Sequence, residues 1–249
     1  MHLRAYRARM RIRAGVAGVL FAFVAVYPTV ASAESSGRPD DVPTLLMISH
    51  TRMEAGPPNR GANCTNAGAA AGTYVLTGWA VGGSTTSTLN TTTVPSGLSL
   101  SATVSALQSG YSVWSQASPA PAINVATSTS TSRKPTANRA YELMFGKAGG
   151  STLAVTYTWR WTDGFVESDT LFNTSVTWSN LGAEDDGCYE NAGNVYDVGN
   201  IATHEFGHTY GLGHPSAARF ESMYAYGYSG ETLKRSLASG DVAGVNAVY

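Results

Sequence analysis

The fold of this chain is decided by the stretch His204-Glu-Phe-Gly-His-Thr-Tyr-Gly-Leu-Gly-His214. On a helix, the first and fifth of these residues face the same way one turn apart, so His204 and His208 can bind one metal ion together. Gly211 readily adopts the left-handed conformation that ends a helix and redirects the chain. The redirected chain can bring His214 back to the same ion as a third ligand. The stretch therefore predicts a helix followed by a turn. Together the helix and the turn form a metal site.

The predicted ligands indicate a catalytic zinc site. Three imidazoles leave the fourth position of zinc open for water, and zinc lowers the pKa of such water to about 7. Glu205 follows the first ligand directly, so we expect it to act as the general base. The three histidines would otherwise be incidental residues, but three of the chain's five histidines fall in this stretch at ligand spacing. The same ligands also bind manganese or cobalt, so zinc is inferred from geometry and chemistry.

Hydrophobic patterning elsewhere predicts an α+β fold. Apolar residues at helical spacing from Leu100 to Trp114 predict an amphipathic helix. Residues 139–145, 153–161 and 165–172 are rich in β-branched and aromatic side chains and predict strands. Asp163-Gly164 supplies a tight turn between the last two of these strands, which we expect to form a hairpin.

The sequences that flank the histidine stretch resemble those of metzincin peptidases, and in particular the matrixin branch. Tyr196-Asp-Val-Gly-Asn-Ile-Ala-Thr203 precedes the stretch, and Ser222-Met-Tyr224 follows it where the family makes its methionine turn. Residues 237–249 resemble the closing helix of matrixin domains. The resemblance implies a catalytic domain over residues 73–249 with a mixed twisted sheet, an active-site helix and a C-terminal helix. It also implies that Met223 lies beneath the metal.

The resemblance also suggests how a substrate binds. Residues 150–178 resemble the edge-strand region of the family, which pairs with an extended peptide. Tyr228 follows the methionine turn where the family lines the pocket for the residue after the scissile bond. Ordinary packing in the sheet and in the core is the alternative for these two regions. The implied substrate is a protein or peptide.

Several features of the family are missing here. Its second, structural zinc needs upstream histidines, but Leu171 stands where one ligand is expected, so we expect a single zinc ion. Cys64 lies in Asn-Cys-Thr and does not match the family's latency motif. In another metzincin branch a tyrosine near the methionine turn is an extra ligand. Tyr226 stands three residues after Met223 instead of two, which argues against that branch.

Two cysteines and a group of acidic residues leave further questions open. Cys64 and Cys188 form an even count, which predicts one disulfide if the chain is exported, as its N-terminal segment indicates. The alternative is that one thiolate binds the zinc ion and keeps the enzyme latent. Calcium is a further candidate cofactor, because carboxylates are its preferred ligands. No complete ligand loop is recognisable, however, which favours an ordinary acidic surface. The carboxylates concerned are Asp163, Glu167, Asp169, Asp185 and Asp186.

The N-terminal segment indicates export from the cell. Five arginines within the first thirteen residues precede an apolar run from Ala14 to Tyr27 and the small residues Ala31-Ser-Ala33. This order predicts a signal peptide over residues 1–33 and a secreted protein, since the apolar run is shorter than the roughly 20 residues of a membrane span. Residues 34–72 show no regular period and are interpreted as an irregular leader or short pro-segment.

The composition of the chain limits the classes of function that it can have. The chain has 249 residues, of which 43% are hydrophobic, and a net charge of −1. This balance favours one globular domain and gives no indication of binding to nucleic acid or of stable membrane insertion. We expect a monomer. A catalytically silent peptidase-like module for binding or adhesion is the alternative to an enzyme, but the presence of Glu205 favours catalysis.

Overall fold

A computed structural model describes residues 41–53, 72–182, 193–216 and 219–249. Within these ranges the chain forms strands and three α-helices, as the α+β prediction requires. The strands are β1 (Thr44–Arg52), β2 (Val75–Leu76), β3 (Thr85–Asn90), β4 (Ile123–Ser128), β5 (Tyr141–Gly146), β6 (Thr152–Arg160), β7 (Val166–Asn173), β8 (Trp178–Ser179), β9 (Tyr196–Asp197), β10 (Leu212–Gly213) and β11 (Tyr226–Gly227). The helices are α1 (Leu100–Ala117), α2 (Val198–Thr209) and α3 (Ser239–Val248).

One mixed sheet organises the domain. Its seven strands run in the order β11-β1-β6-β7-β5-β3-β4. β3 pairs in parallel with β4 and β5, and β5 pairs in parallel with β7. β6 is antiparallel to both β1 and β7. The predicted hairpin is therefore present as β6 and β7, and Gly164 in its turn has a φ of 86°. The mixed sheet, with α2 and α3 at the positions expected for the active-site helix and the C-terminal helix, confirms the predicted fold class.

Helix α1 forms where the apolar spacing predicts it. The Ser99 side chain accepts a hydrogen bond from the backbone of Ala102, which satisfies a free amide of the first turn. Tyr111 and Trp114 are buried between α1 and α2. The ring of Tyr111 stacks on that of Phe206 at a centroid distance of 3.6 Å. These contacts fix α2 against α1 in the core of the domain.

One sequence prediction about the leader is wrong. Residues 34–72 were expected to be irregular, but Thr44–Arg52 form β1, which pairs with β6 along its length. The exposed fraction of the β1 side chains does not alternate strictly along the strand. Many of them are half-buried, because β1 lies inside the sheet between β6 and β11. The period-2 pattern that identifies a half-buried strand is therefore absent. The sheet thus crosses the predicted domain boundary at residue 73.

Some other predictions concern residues outside the described ranges. The proposed signal peptide over 1–33 belongs to this group, as do Cys64 and Cys188 of the predicted disulfide. In the part of the chain that the structure describes, no helix is long and apolar enough to cross a membrane.

Candidate metal centre

Helix α2 carries the first part of the site. Its N-cap is Asp197, whose carboxylate accepts a hydrogen bond from the backbone of Asn200 at 2.6 Å and forms an ion pair with Arg235 at 2.7 Å. Every residue of α2 is buried. The helix ends at Thr209, and Gly211 follows with a φ of 92°. This left-handed residue reverses the chain, as the sequence predicts, so that β10 leads back toward the helix.

The reversal brings three histidines together. His204, His208 and His214 form a group whose potential metal-binding atoms all lie within 4.8 Å of one another. The Nε2 atoms of His204 and His214 are 3.0 Å apart. Such an arrangement of three imidazoles is the donor set of a catalytic zinc site.

Hydrogen bonds orient two of these rings. Nδ1 of His204 lies 2.6 Å from the carbonyl oxygen of Ser222, and Nδ1 of His208 lies 2.7 Å from that of Leu212. A carbonyl oxygen only accepts, so each Nδ1 carries the hydrogen and each Nε2 keeps its lone pair for a metal. Nε2 of His208 is buried and has no hydrogen-bond partner in the described part of the chain. An unpartnered buried lone pair is expected where a metal ion is to bind.

Burial also keeps the three rings neutral. It lowers the pKa of His208 to about 4 and the pKa of His214 to about 2. The pKa of His204 is lowered well below its ordinary value, again mainly because the ring is buried. Neutral imidazole is the form that binds metal, so the site fits a metal ion across the neutral pH range.

Glu205 lies beside the histidines on the same helix. Its side chain is fully buried, and Oε2 accepts a hydrogen bond from the hydroxyl of Thr156 in β6 at 2.7 Å. Its other carboxylate oxygen, Oε1, has no hydrogen-bond partner among the described residues. Burial raises the pKa of Glu205 to about 8, and the Thr156 hydrogen bond opposes that rise. Oε2 of Glu205 is thus held in place by Thr156, and Oε1 is available for proton transfer.

The methionine stretch lies under the active-site helix. Met223 is buried, and its sulfur packs against the backbone of Gly207. Asp241 of α3 holds this stretch, because its carboxylate accepts hydrogen bonds from the backbone of Ser222 at 2.6 Å and of Met223 at 3.1 Å. The sequence analysis missed Asp241. The sequence signal that could have identified Asp241 is its position as an acidic residue in the first turn of the closing helix.

His50 is the second residue that sequence reasoning missed. It lies in β1, fully buried, and its ring stacks on that of His204 at a centroid distance of 3.7 Å. Nδ1 of His50 is 3.7 Å from Oε1 of Glu205. Together the three residues form a second group of potential metal ligands. No local pattern around His50 indicated this position, since its partners lie more than 150 residues away in the sequence.

Tyr228 is placed close to the site but within the packed interior. Its ring is buried, which raises its pKa, and its backbone amide donates to the carboxylate of Glu231 at 3.1 Å. A groove of about 520 Å³ lies beside His214, between β1 and the β2–β10 pair, and Tyr228 does not line it. Lining of a substrate pocket by Tyr228 stays a prediction.

The described carboxylates named for calcium already have partners. Asp163 forms an ion pair with Arg139 at 2.8 Å. Glu167 accepts hydrogen bonds from the backbone of Asn138 and Arg139, and Asp169 accepts them from two further backbone amides. Asp185 and Asp186 lie outside the described residues. These contacts explain the first three carboxylates as supports of the segment before β5, and calcium binding stays a prediction.

Comparison with known proteins agrees with this site. The family model described as Matrixin matches residues 83–249, which run from just before β3 to the end of the chain. No curated protein matches the sequence. The matched region contains α2, the three histidines, the methionine stretch and α3, and it covers more than half of the chain. The chain therefore belongs to the matrixin family of zinc metallopeptidases.

Proposed function

We propose that this metallopeptidase is a secreted endopeptidase that cleaves a peptide bound as an extended strand. His204, His208 and His214 would hold one zinc ion, and Glu205 would act as general base. The observation that carries the proposal is the convergence of three neutral imidazoles, two buried and one half-buried, and one buried carboxylate beside β6. In such a site a peptide carbonyl and a water molecule can be brought together with water otherwise excluded.

The histidines fit the metal by their chemistry. Two of them donate Nδ1–H to backbone carbonyls, which leaves Nε2 for the ion, and the third reaches the same point after the turn at Gly211. Zinc supplies Lewis-acid chemistry when it is bound, because it acidifies water and polarises a carbonyl oxygen. The packing of Met223 and the Asp241 carboxylate beneath α2 keep the ligands in place.

Glu205 supplies the proton transfers in this proposal. The Thr156 hydroxyl fixes Oε2, so the unpartnered Oε1 is the atom that takes a proton from the attacking water. The same group then gives that proton to the amine nitrogen as the peptide bond breaks. A carboxyl group whose pKa lies near the working pH serves both steps well, because it accepts and releases a proton with little cost. Burial raises the pKa of Glu205 into this range.

The sheet indicates how the substrate lies. In the sheet, β6 and β11 are separated by a single strand, which is β1. The nine residues of β1, Thr44–Arg52, run past the histidines. A chain can thus continue on both sides of the site, which favours cleavage of internal bonds over removal of terminal residues. A peptide in the place that β1 holds would gain main-chain hydrogen bonds to β6, an interaction that depends little on sequence.

Two further parts of the proposal rest on other observations. Secretion is inferred from the arginine-rich start, the apolar run and Ala31-Ser-Ala33. Tyr228 is proposed as a determinant of substrate preference through its place beside β11. Replacing Tyr228 by Phe or Ala and comparing cleavage of peptides with different residues after the scissile bond would test this second point.

The central test compares Glu205→Gln with the unsubstituted protein. Gln has nearly the shape of Glu but cannot accept the proton, so we expect hydrolysis of casein or a quenched fluorescent peptide to fall by about 10²–10⁴-fold. Zinc content, measured by metal analysis, should stay near that of the unsubstituted protein. Asp163→Asn, which changes an exposed carboxylate, is the matched control and should retain full activity.

The outcomes of these assays distinguish a zinc peptidase from the alternative functions. Removal of activity by 1,10-phenanthroline and recovery with zinc would support the metal assignment. Equal rates for Glu205→Gln and the unsubstituted protein would contradict the role of Glu205. A zinc-loaded protein that binds peptides and never cleaves them would instead be the peptidase-like binding module.

A further inference from the structure

The segment that follows the methionine stretch has little regular structure of its own. This post-methionine segment, residues 224–231, leads from the methionine stretch to a single turn of 3₁₀-helix at Leu233–Arg235. Within it only Tyr226–Gly227, which form β11, pair with a neighbouring strand. A ladder of two residue pairs leaves most backbone groups of the segment to other partners. The position of the segment therefore depends on those partners.

A buried ion pair supplies two of these partners. The side chains of Lys234 and Glu231 are 0% and 1% exposed, and Nζ of Lys234 donates to Oε1 of Glu231 at 2.7 Å. The same ammonium group donates to the carbonyl of Tyr226 at 3.0 Å. Oε2 of Glu231 accepts a hydrogen bond from the backbone amide of Tyr228 at 3.1 Å. The two charges thus hold backbone groups that stand two residues apart in the segment.

Asn200 connects this ion pair to the active-site helix. Its Oδ1 accepts a hydrogen bond from the backbone amide of Lys234 at 2.7 Å, and its Nδ2 donates to Oε2 of Glu231 at 3.4 Å. Asn200 stands one helical turn before His204, so the two side chains lie on the same face of α2. The segment is thereby held in a fixed place relative to the helix that carries the metal ligands.

Stability alone does not account for charged residues at this position. Taking two charges out of water costs free energy, and a well-packed apolar pair of similar volume is often equally stable or more stable. An apolar pair would, however, leave the carbonyl of Tyr226 and the amide of Tyr228 without these partners. The charged pair therefore selects one arrangement of the backbone, which fits a segment whose position matters for function.

We propose that Asn200, Glu231 and Lys234 are positioning residues that set the preference for the substrate residue after the scissile bond. They act through the backbone of the post-methionine segment and not by touching the substrate. The inference rests on the proposed function, because it takes this segment as the wall of the pocket for that residue. In an apolar pocket one methylene group changes the rate by about 10–200-fold. A small displacement of the wall therefore changes which residue fits best.

Cleavage profiling of a mixed peptide library tests this proposal. The zinc-loaded protein is incubated with the library, and mass spectrometry of the products gives the residue preference at each position around the scissile bond. The test variant is Glu231→Gln/Lys234→Met, which leaves no unpaired buried charge but removes the donor to the carbonyl of Tyr226.

Leu89→Ala is the matched control. Leu89 is fully buried in β3, which pairs with β4 and β5 and not with β11. Its truncation leaves a cavity that destabilises the fold without touching the ion pair or Asn200. This variant therefore shows what destabilisation alone does to the cleavage profile.

The expected result is a change confined to one substrate position. In the double variant, the ratio of cleavage rates between the most and the least favoured apolar residue after the scissile bond should fall by about tenfold. Preferences at the other positions should stay unchanged, and Leu89→Ala should keep the whole profile of the unsubstituted protein. An unchanged ratio in the double variant, or an equal fall in Leu89→Ala, would overturn the proposal.

A second variant covers the case in which the double variant fails to fold, as judged by circular dichroism. Asn200→Ala keeps the ion pair and removes its connection to α2, and alanine is a good helix former. This variant should lower the same ratio of cleavage rates. A folded Asn200→Ala protein with the unsubstituted ratio would overturn the proposal.

Hydrogen exchange distinguishes failure of this proposal from failure of the proposed function, because it needs no turnover. The amides of residues 224–231 should exchange about tenfold faster in the double variant, with no matching change in β5. If they do, but the unsubstituted zinc-loaded protein cleaves no peptide, the peptidase function and the substrate preference are both refuted. Unchanged exchange and an unchanged profile in a protein that cleaves normally would refute the positioning role and leave the peptidase function standing.

Discussion

Gly207 lies in the active-site helix directly above the methionine stretch, and its substitution by alanine is a sharp test of that packing. A Cβ atom at this position would overlap the sulfur of Met223 and lie 2.7 Å from Cζ2 of Trp114. Trp114 cannot easily retreat, since it is fully buried and its indole N–H donates to the carbonyl of Thr203 at 2.9 Å. The methionine must therefore move, or the helix must lift from the core.

Two opposing effects set the magnitude for Gly207→Ala. Alanine in a helix interior is about 1 kcal/mol more favourable than glycine. Overpacking a well-packed core costs typically about 1–3 kcal/mol, and the upper end applies here because two neighbours are too close. The free energy of unfolding should thus fall by about 2 kcal/mol. With a urea m-value of about 2–3 kcal/mol/M for a domain of this size, the unfolding midpoint should fall by about 0.7–1 M.

Urea unfolding followed by tryptophan fluorescence measures this change. Gly199→Ala on the same helix is the control, because the nearest atom to its Cβ would be a carboxylate oxygen of Asp197 at 3.2 Å, a longer distance than either contact at Gly207. Its free energy of unfolding should stay within about 0.5 kcal/mol of that of the unsubstituted protein. A Gly207→Ala midpoint at or above that of Gly199→Ala would refute the packing of Met223 beneath the helix.

Three further changes test the ligands, the base and a buried ion pair. His208→Ala leaves two imidazoles, so zinc per chain after gel filtration should fall well below one, and full retention would count against this ligand. Thr156→Val removes a donor that favours ionised Glu205, so the pKa of Glu205 should rise and the acidic limb of the activity profile should move to higher pH. An unmoved limb would argue that Thr156 does not act on the base. Lys234→Met leaves the Glu231 carboxylate buried without its 2.7 Å partner and should cost about 3–5 kcal/mol in urea unfolding. A cost below about 1 kcal/mol would mean that the pair is not buried as described.

Much of the local structure could be predicted because it depends on neighbours in the sequence. The apolar spacing that ends at Trp114 predicted α1, and the β-branched residues around Asp163-Gly164 predicted the hairpin. Gly211 marked the end of the active-site helix, and its positive φ agrees with that reading. Each of these features is decided by the geometry of a few consecutive residues.

The strand β1 could not be predicted in the same way. Its residues show no clean alternation, because the strand is placed by pairing with β6 and β11, which lie about 100 and 175 residues further along the chain. Asp241 was missed for a similar reason. Its function is to hold the backbone of Ser222 and Met223, and that contact exists only when α3 packs below the site.

The sequence by itself determined the chemistry of this protein: two histidines one helical turn apart, a glutamate beside the first, and a glycine that returns a third histidine. Those relations are local, so helix geometry alone imposes them. Only the tertiary structure decided what surrounds that chemistry. It placed Thr156 on Glu205, Asp241 on the methionine stretch and His50 against His204. These partners are distant in the chain, and the packing of the sheet against α2 is what brings them together.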